Sequence, residues 1–99
     1  MSRLDVHPMP TGPGYVLDVQ AELLAHLATR AVVPLIPEEM APKPISELNP
    51  VFEISSRRHV LLTQAIASIP VHELKSSVGS LVQHHDRVTR ALDTLLVGL

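Results

Sequence analysis

The sequence has no cysteine and no tryptophan, and only one tyrosine and one phenylalanine in 99 residues. Without cysteine there is no disulfide, no thiolate zinc site and no cysteine nucleophile, and a reducing compartment is compatible with the chain. No apolar run approaches the roughly 18–20 residues needed to span a bilayer, and residues 1–11 lack the apolar centre of a signal peptide. A cytoplasmic protein with no membrane association is expected. Charge of one sign is also lacking: eight Lys and Arg against ten Asp and Glu leave a net charge of −2, which disfavours direct binding of nucleic acid by phosphate neutralisation. No phosphate-cradling glycine loop and no nucleophile, base and orienter triplet stands out, so no catalytic residue, no cofactor and no enzymatic activity are expected. His84 and His85 are neighbours about 100° apart on a helix and cannot readily share a metal, so no metal site is expected either.

Proline is abundant. Eight of the nine prolines lie between Pro8 and Pro50 and none follows Pro70, so short strands and irregular edges suit the first half and a long helix only the last third. The length suits a single domain, residues 1–99.

Taken in order, Arg3–His7 alternates polar and apolar residues, and the Pro8–Gly14 stretch is a turn by composition. Tyr15–Gln20 resumes the alternation, with Tyr15, Leu17 and Val19 facing inward and Asp18 and Gln20 outward. Ala21–Thr29 suits a short helical turn whose Leu23, Leu24 and Leu27 should be covered. Arg30–Ile36 is a strand in which Pro34 suggests an edge or a bulge. Pro37–Pro50 is a long loop of the kind that often carries function. Val51–Ser55 and Arg58–Thr63 form a hairpin. Its Ser56–Arg57 link has neither the Gly nor the Asn that a tight primed turn favours, so a looser or bulged turn is expected. Ala65–Val71 is a last extended segment.

The best-defined element is the closing one. Leu81, Val88, Leu92, Leu95 and Leu99 share one helical stripe, which predicts an amphipathic helix over 80–99. Ser80 and Gln83 have the spacing of a capping box, and Gly98 supplies a stop. His85 lies beside the apolar stripe and is expected at the core margin or the dimer contact. Asp86, Arg90, Asp93 and Val97 fall on the opposite side, where a branched apolar residue has no core to fill. The expected fold is mainly β with a C-terminal α-helix, a small, strongly bent antiparallel sheet or barrel covered by that helix.

In register, LDVQ (Leu17–Gln20), VVPL (Val32–Leu35), LNPVFEI (Leu48–Ile54), ASIPV (Ala67–Val71) and the helix ending in Gly98-Leu99 resemble the CcdB family of toxins. The similarity runs from about Tyr15 to Leu99 and is loosest in the Pro37–Glu47 loop. No one motif is specific; five in order are. The resemblance implies an SH3-like small barrel of antiparallel strands with a C-terminal helix, assembled as a homodimer. It also implies a toxin of a type II toxin–antitoxin system that poisons DNA gyrase and is neutralised by a CcdA-like antitoxin.

By position, the resemblance places Val97, Gly98, Leu99, Asp86, Arg90, Asp93, Leu23 and Leu24 against the gyrase A subunit. It places Ser55, Ser56, Arg57, Arg58, Lys43 and Glu47 against the antitoxin. The family's well-known members carry a tryptophan where this chain has Val97. Without the resemblance, the same residues read as a frayed helix end, solvated ion pairs worth about 0.2–0.5 kcal/mol and a polar turn. A MazF-like endoribonuclease on the same barrel is the alternative, although the N-terminal hairpin lacks that group's Arg-Pro signature.

Overall fold

The computed structural model describes residues 2–98. Seven strands form one antiparallel sheet in the order β4-β5-β3-β2-β1-β7, with β6 pairing a second stretch of β3. The strands are β1 (Asp5–Pro8), β2 (Tyr15–Asp18), β3 (Thr29–Pro37), β4 (Val51–Ile54), β5 (Arg57–Leu61), β6 (Ala67–Pro70) and β7 (Gly79–Ser80), followed by helix α1 (His85–Leu96). The sheet curls into a half-barrel and α1 packs at its C-terminal end of the chain. The expected fold class holds.

The curl originates in β3, the longest strand. Thr29–Val32 pairs with β6, Leu35–Pro37 pairs with β5, and the other edge pairs with β2 over Val32–Leu35. Pro34 therefore lies in a central strand, not at an edge. The Val19 N–H bonds the Ala31 carbonyl at 3.0 Å, and the alternation of an antiparallel ladder then turns the Pro34 nitrogen away from β2. It falls at the point where β3 exchanges β6 for β5 and faces Leu62, whose carbonyl is taken by the Ala65 N–H at 2.9 Å, so the missing N–H leaves no acceptor unpaired. The Pro34 carbonyl still accepts from the Leu62 N–H at 2.9 Å.

One face of the sheet holds Leu4, Val6, Leu17, Val33, Leu35, Phe52 and Leu61, and α1 adds Val88 and Ala91 to this core. Asp18 and Gln20, expected outside, are buried. The second face of the sheet is also buried at His7 and Val16, which pair across β1 and β2, and the chain after β6 folds back over it at β1, where the His7 imidazole Nδ1–H donates to the Lys75 carbonyl at 2.7 Å. Asp18 and Arg30 are diagonal neighbours on that face and form a fully buried ion pair, with Arg30 Nη2 at 2.6 Å and Nε at 3.0 Å from Asp18 Oδ2. Asp18 Oδ1 also accepts from the Gln20 N–H at 3.0 Å.

Four local expectations are corrected. The helix does not begin at Ser80 with a capping box: Ser80 pairs with Asp5 in β7, Val82–His84 is a 3₁₀ turn, and α1 starts at His85. The Ser80 hydroxyl instead accepts from the Val82 N–H at 3.1 Å. This extra tight turn makes His84, not His85, the packed histidine, its ring 5.1 Å from that of Phe52, while His85 is exposed. The β4–β5 link is Ser55–Ser56 and is tight: Ile54 pairs with Arg57, and the two serines have φ of +52° and +66°, as a primed two-residue turn requires. Ala21–Thr29 contains only one 3₁₀ turn, Glu22–Leu24, and its leucines are not covered, Leu23 being 84% exposed.

Candidate functional site

Helix α1 sorts its side chains as the sequence pattern predicts. Val88 and Ala91 are buried, Leu92 and Leu95 half-buried, and Asp86, Arg90, Asp93, Leu96 and Val97 exposed. The helix end is fixed geometrically: Gly98 has φ of +81°, and the N–H groups of Val97 and Gly98 both bond the Asp93 carbonyl, at 2.8 and 2.9 Å. Leu96 and Val97 thus stand in solvent at 69% and 64% exposure on a capped helix end. Leu99 lies outside the described residues.

Leu23 and Leu24 lie in the Glu22–Leu24 turn, anchored to the β2–β3 end. The Gln20 side chain donates to the Leu24 carbonyl at 2.8 Å and accepts from the Ala31 N–H at 2.9 Å. An exposed leucine turn is therefore held in one conformation by a buried polar side chain. Composition gave no sign of it, since Gln20 was expected in solvent.

The two sets assigned by resemblance meet at one point. Arg90 Nε lies 3.6 Å from Glu47 Oε2, joining a residue of the helix face to one of the proline-rich loop, and Glu47 has a left-handed φ of +68°. Beside them, Arg87 lies over the Phe52 ring at 4.5 Å and donates to the Val51 carbonyl at 3.1 Å. Glu47, Pro50, Arg87 and Arg90 line a cleft of about 200 Å³. Sequence reading missed Arg87 and Phe52, whose contact joins α1 to β4 across 34 intervening positions of chain. Lys43 is exposed on the same loop as Glu47.

Ser55 and Ser56 form the exposed β4–β5 tip, and the arginines that follow are engaged by the Glu38–Met40 3₁₀ turn. Arg58 bonds Glu38 through two N–H donors, both at 3.0 Å, and Arg57 pairs with Glu39. The Glu39 carboxyl is held below the usual carboxylate range, first by a backbone hydrogen bond and then by Arg57, against the opposing effect of desolvation. Glu38 raises the Arg58 guanidinium correspondingly. A lowered carboxyl favours the folded state above the ordinary glutamate pKa, and that contribution is lost as pH falls through the lowered value. In a carbon-detected titration, the Glu39 carboxyl should show a midpoint below that of free glutamate, moving upward in Arg57→Ala. An unchanged midpoint would leave the Arg57 contribution unsupported.

The half-barrel with one C-terminal helix is a fold already seen in a toxin: a solved structure described as an Mtb toxin matches with a TM-score of 0.75 at 16% identity, over 93% of this chain and 99% of that one. No curated protein matches. The family model described as CcdB protein matches residues 3–98, and the chain belongs to the CcdB family. Toxins of this family pair with antitoxins. No helix among the described residues is long and apolar enough to cross a membrane.

Proposed function

We propose that this chain is the toxin of a type II toxin–antitoxin system, that it acts in the cytoplasm as a homodimer, and that it binds and poisons DNA gyrase without catalysis of its own. The observation that carries the reading is the end of α1. Val88 and Ala91 fasten the helix to the barrel, while Leu96 and Val97 remain exposed on a terminus closed by Gly98. Exposed apolar residues side by side on a capped helix end offer a contact surface to a partner. Asp86, Arg90, Asp93, Leu23 and Leu24 extend the gyrase surface in this reading, and Ser55, Ser56, Arg57, Arg58, Lys43 and Glu47 meet the antitoxin.

Deleting residues 97–99 is expected to abolish growth inhibition while leaving the thermal midpoint nearly unchanged, since Val97 and Gly98 are exposed. Toxicity that survives the deletion would remove the helix end from the mechanism. In a gyrase supercoiling and cleavage assay, Val97→Trp is expected to inhibit severalfold more strongly. A tryptophan adds contact area and a π face worth about 0.5–1 kcal/mol against an exposed cation. Degradation of RNA by the purified chain without gyrase would place it with the endoribonucleases instead.

A further inference from the structure

We propose that the opening of the half-barrel between β4 and β7 is a slot for an extended peptide of a partner protein, which pairs with both strand edges and completes the barrel. β4 and β7 are the two ends of the sheet order, and a cleft of about 190 Å³ is lined by both: Glu53, Ile54 and Ser55 on one wall and Val78, Gly79 and Ser80 on the other. The phase of each ladder shows which backbone groups face the cleft. On the β4 side, the Leu61 N–H bonds the Pro50 carbonyl at 3.0 Å. With the β4–β5 register, this turns Phe52 and Ile54 toward β5 and Val51 and Glu53 away from it. The Val51 carbonyl is taken by Arg87, which leaves the N–H and C=O of Glu53. On the other side, the Leu81 N–H bonds the Leu4 carbonyl at 2.8 Å, and the β1–β7 register turns the Ser80 backbone outward.

Two unpaired strand edges thus flank one cleft. A helix has already used its backbone groups, so the occupant that satisfies both walls is an extended chain. Its side chains are specified further along. The slot opens, through the shared residues Ile54, Ser55 and Val78, into a chamber of about 460 Å³. Pro13, Tyr15 and Pro37 wall the chamber and Arg57 lines it. An apolar side chain fits the chamber, and an acidic residue beside it can share Arg57 with Glu39. Ser55 and Arg57, which line the slot and chamber, also belong to the set proposed to meet the antitoxin, so the inference deepens that part of the proposed function, while it concerns neither the helix end nor gyrase.

The test is selection of a displayed library of random nine-residue peptides against the full chain. Enriched peptides should contain an acidic residue next to an apolar one and should slow amide exchange at Glu53 and Ser80. Methylating alternate backbone nitrogens of such a peptide should weaken it at least tenfold. Glu53→Pro removes the outward N–H while leaving the β5 ladder intact, and it should weaken binding by a similar factor without lowering the thermal midpoint of the free chain. Should this variant fold poorly, the methylated peptides test the same bonds on the natural chain. Failure of the selection, peptides indifferent to methylation, or free exchange at Glu53 and Ser80 would overturn the proposal. Conversion of a dimer to a monomer by Glu53→Pro would also overturn it, because the slot would then belong to a second copy.

Discussion

Asp18→Ala is expected to destabilise the fold by about 3–5 kcal/mol, because it leaves the Arg30 guanidinium buried without its counter-charge. A chain of this size has a total stability of roughly 5–15 kcal/mol, and each kcal/mol moves the midpoint of a domain of up to about 100 residues by roughly 4–8 °C. The variant should therefore melt well over ten degrees lower, or fail to fold at 37 °C. Asp18 also accepts from the Gln20 N–H, and Gln20 holds the Leu24 carbonyl. Amide exchange should therefore quicken through residues 21–28 in any Asp18→Ala protein that does fold. Replacing both partners, Asp18→Leu with Arg30→Met, should recover most of the loss, since two apolar groups leave no stranded charge. A loss below about 1 kcal/mol in urea titrations of the single variant would mean that water reaches Arg30.

The same pair marks the boundary of what the sequence shows. The alternation in Tyr15–Gln20 correctly placed Leu17 and Val19 in the core, because period two is a property of any strand. It does not report that the other face is buried too, where Arg30 meets Asp18 and the segment around Lys75 meets His7, so it places Asp18 in water. Ser80 and Gln83 carry a capping-box spacing, yet Ser80 joins β7 beside Asp5: long-range pairing displaced a local preference. At Ser55–Ser56 the pairing of β4 with β5 likewise imposes positive φ on residues that turn statistics disfavour.

The candidate surface divides in the same way. Asp86, Arg90, Asp93 and Val97 share a helix face, so their exposure follows from spacing alone. The approach of Glu47 to Arg90 and the packing of Arg87 on Phe52 join distant segments through the fold, and no spacing encodes them. The gap between β4 and β7 is further still from the sequence. It depends on strand order and ladder phase together, neither of which alternation specifies.

A second large loss is expected at Gly14, with Gly12 as its built-in comparison. Both glycines have left-handed backbones, with φ of +102° and +83°, so alanine pays a conformational penalty at either. A Cβ at Gly12 meets nothing within 4 Å, whereas at Gly14 it would lie 2.5 Å from the Leu35 carbonyl oxygen. Leu35 is fixed between Tyr15 and Leu61 in the middle of the sheet, so the barrier is backbone that has no room to yield. Gly12→Ala should cost about 1–2 kcal/mol, the penalty of the left-handed region alone, and Gly14→Ala about 3 kcal/mol or more once the clash is added. The difference in urea midpoints measures the clash. If the two variants are equally stable, the β1–β2 loop moves freely against β3, and Gly14 and Tyr15 do not form a fixed wall of the chamber. If they differ as expected, peptides selected for the slot should bind Gly12→Ala normally and bind Gly14→Ala poorly even under conditions where it is folded.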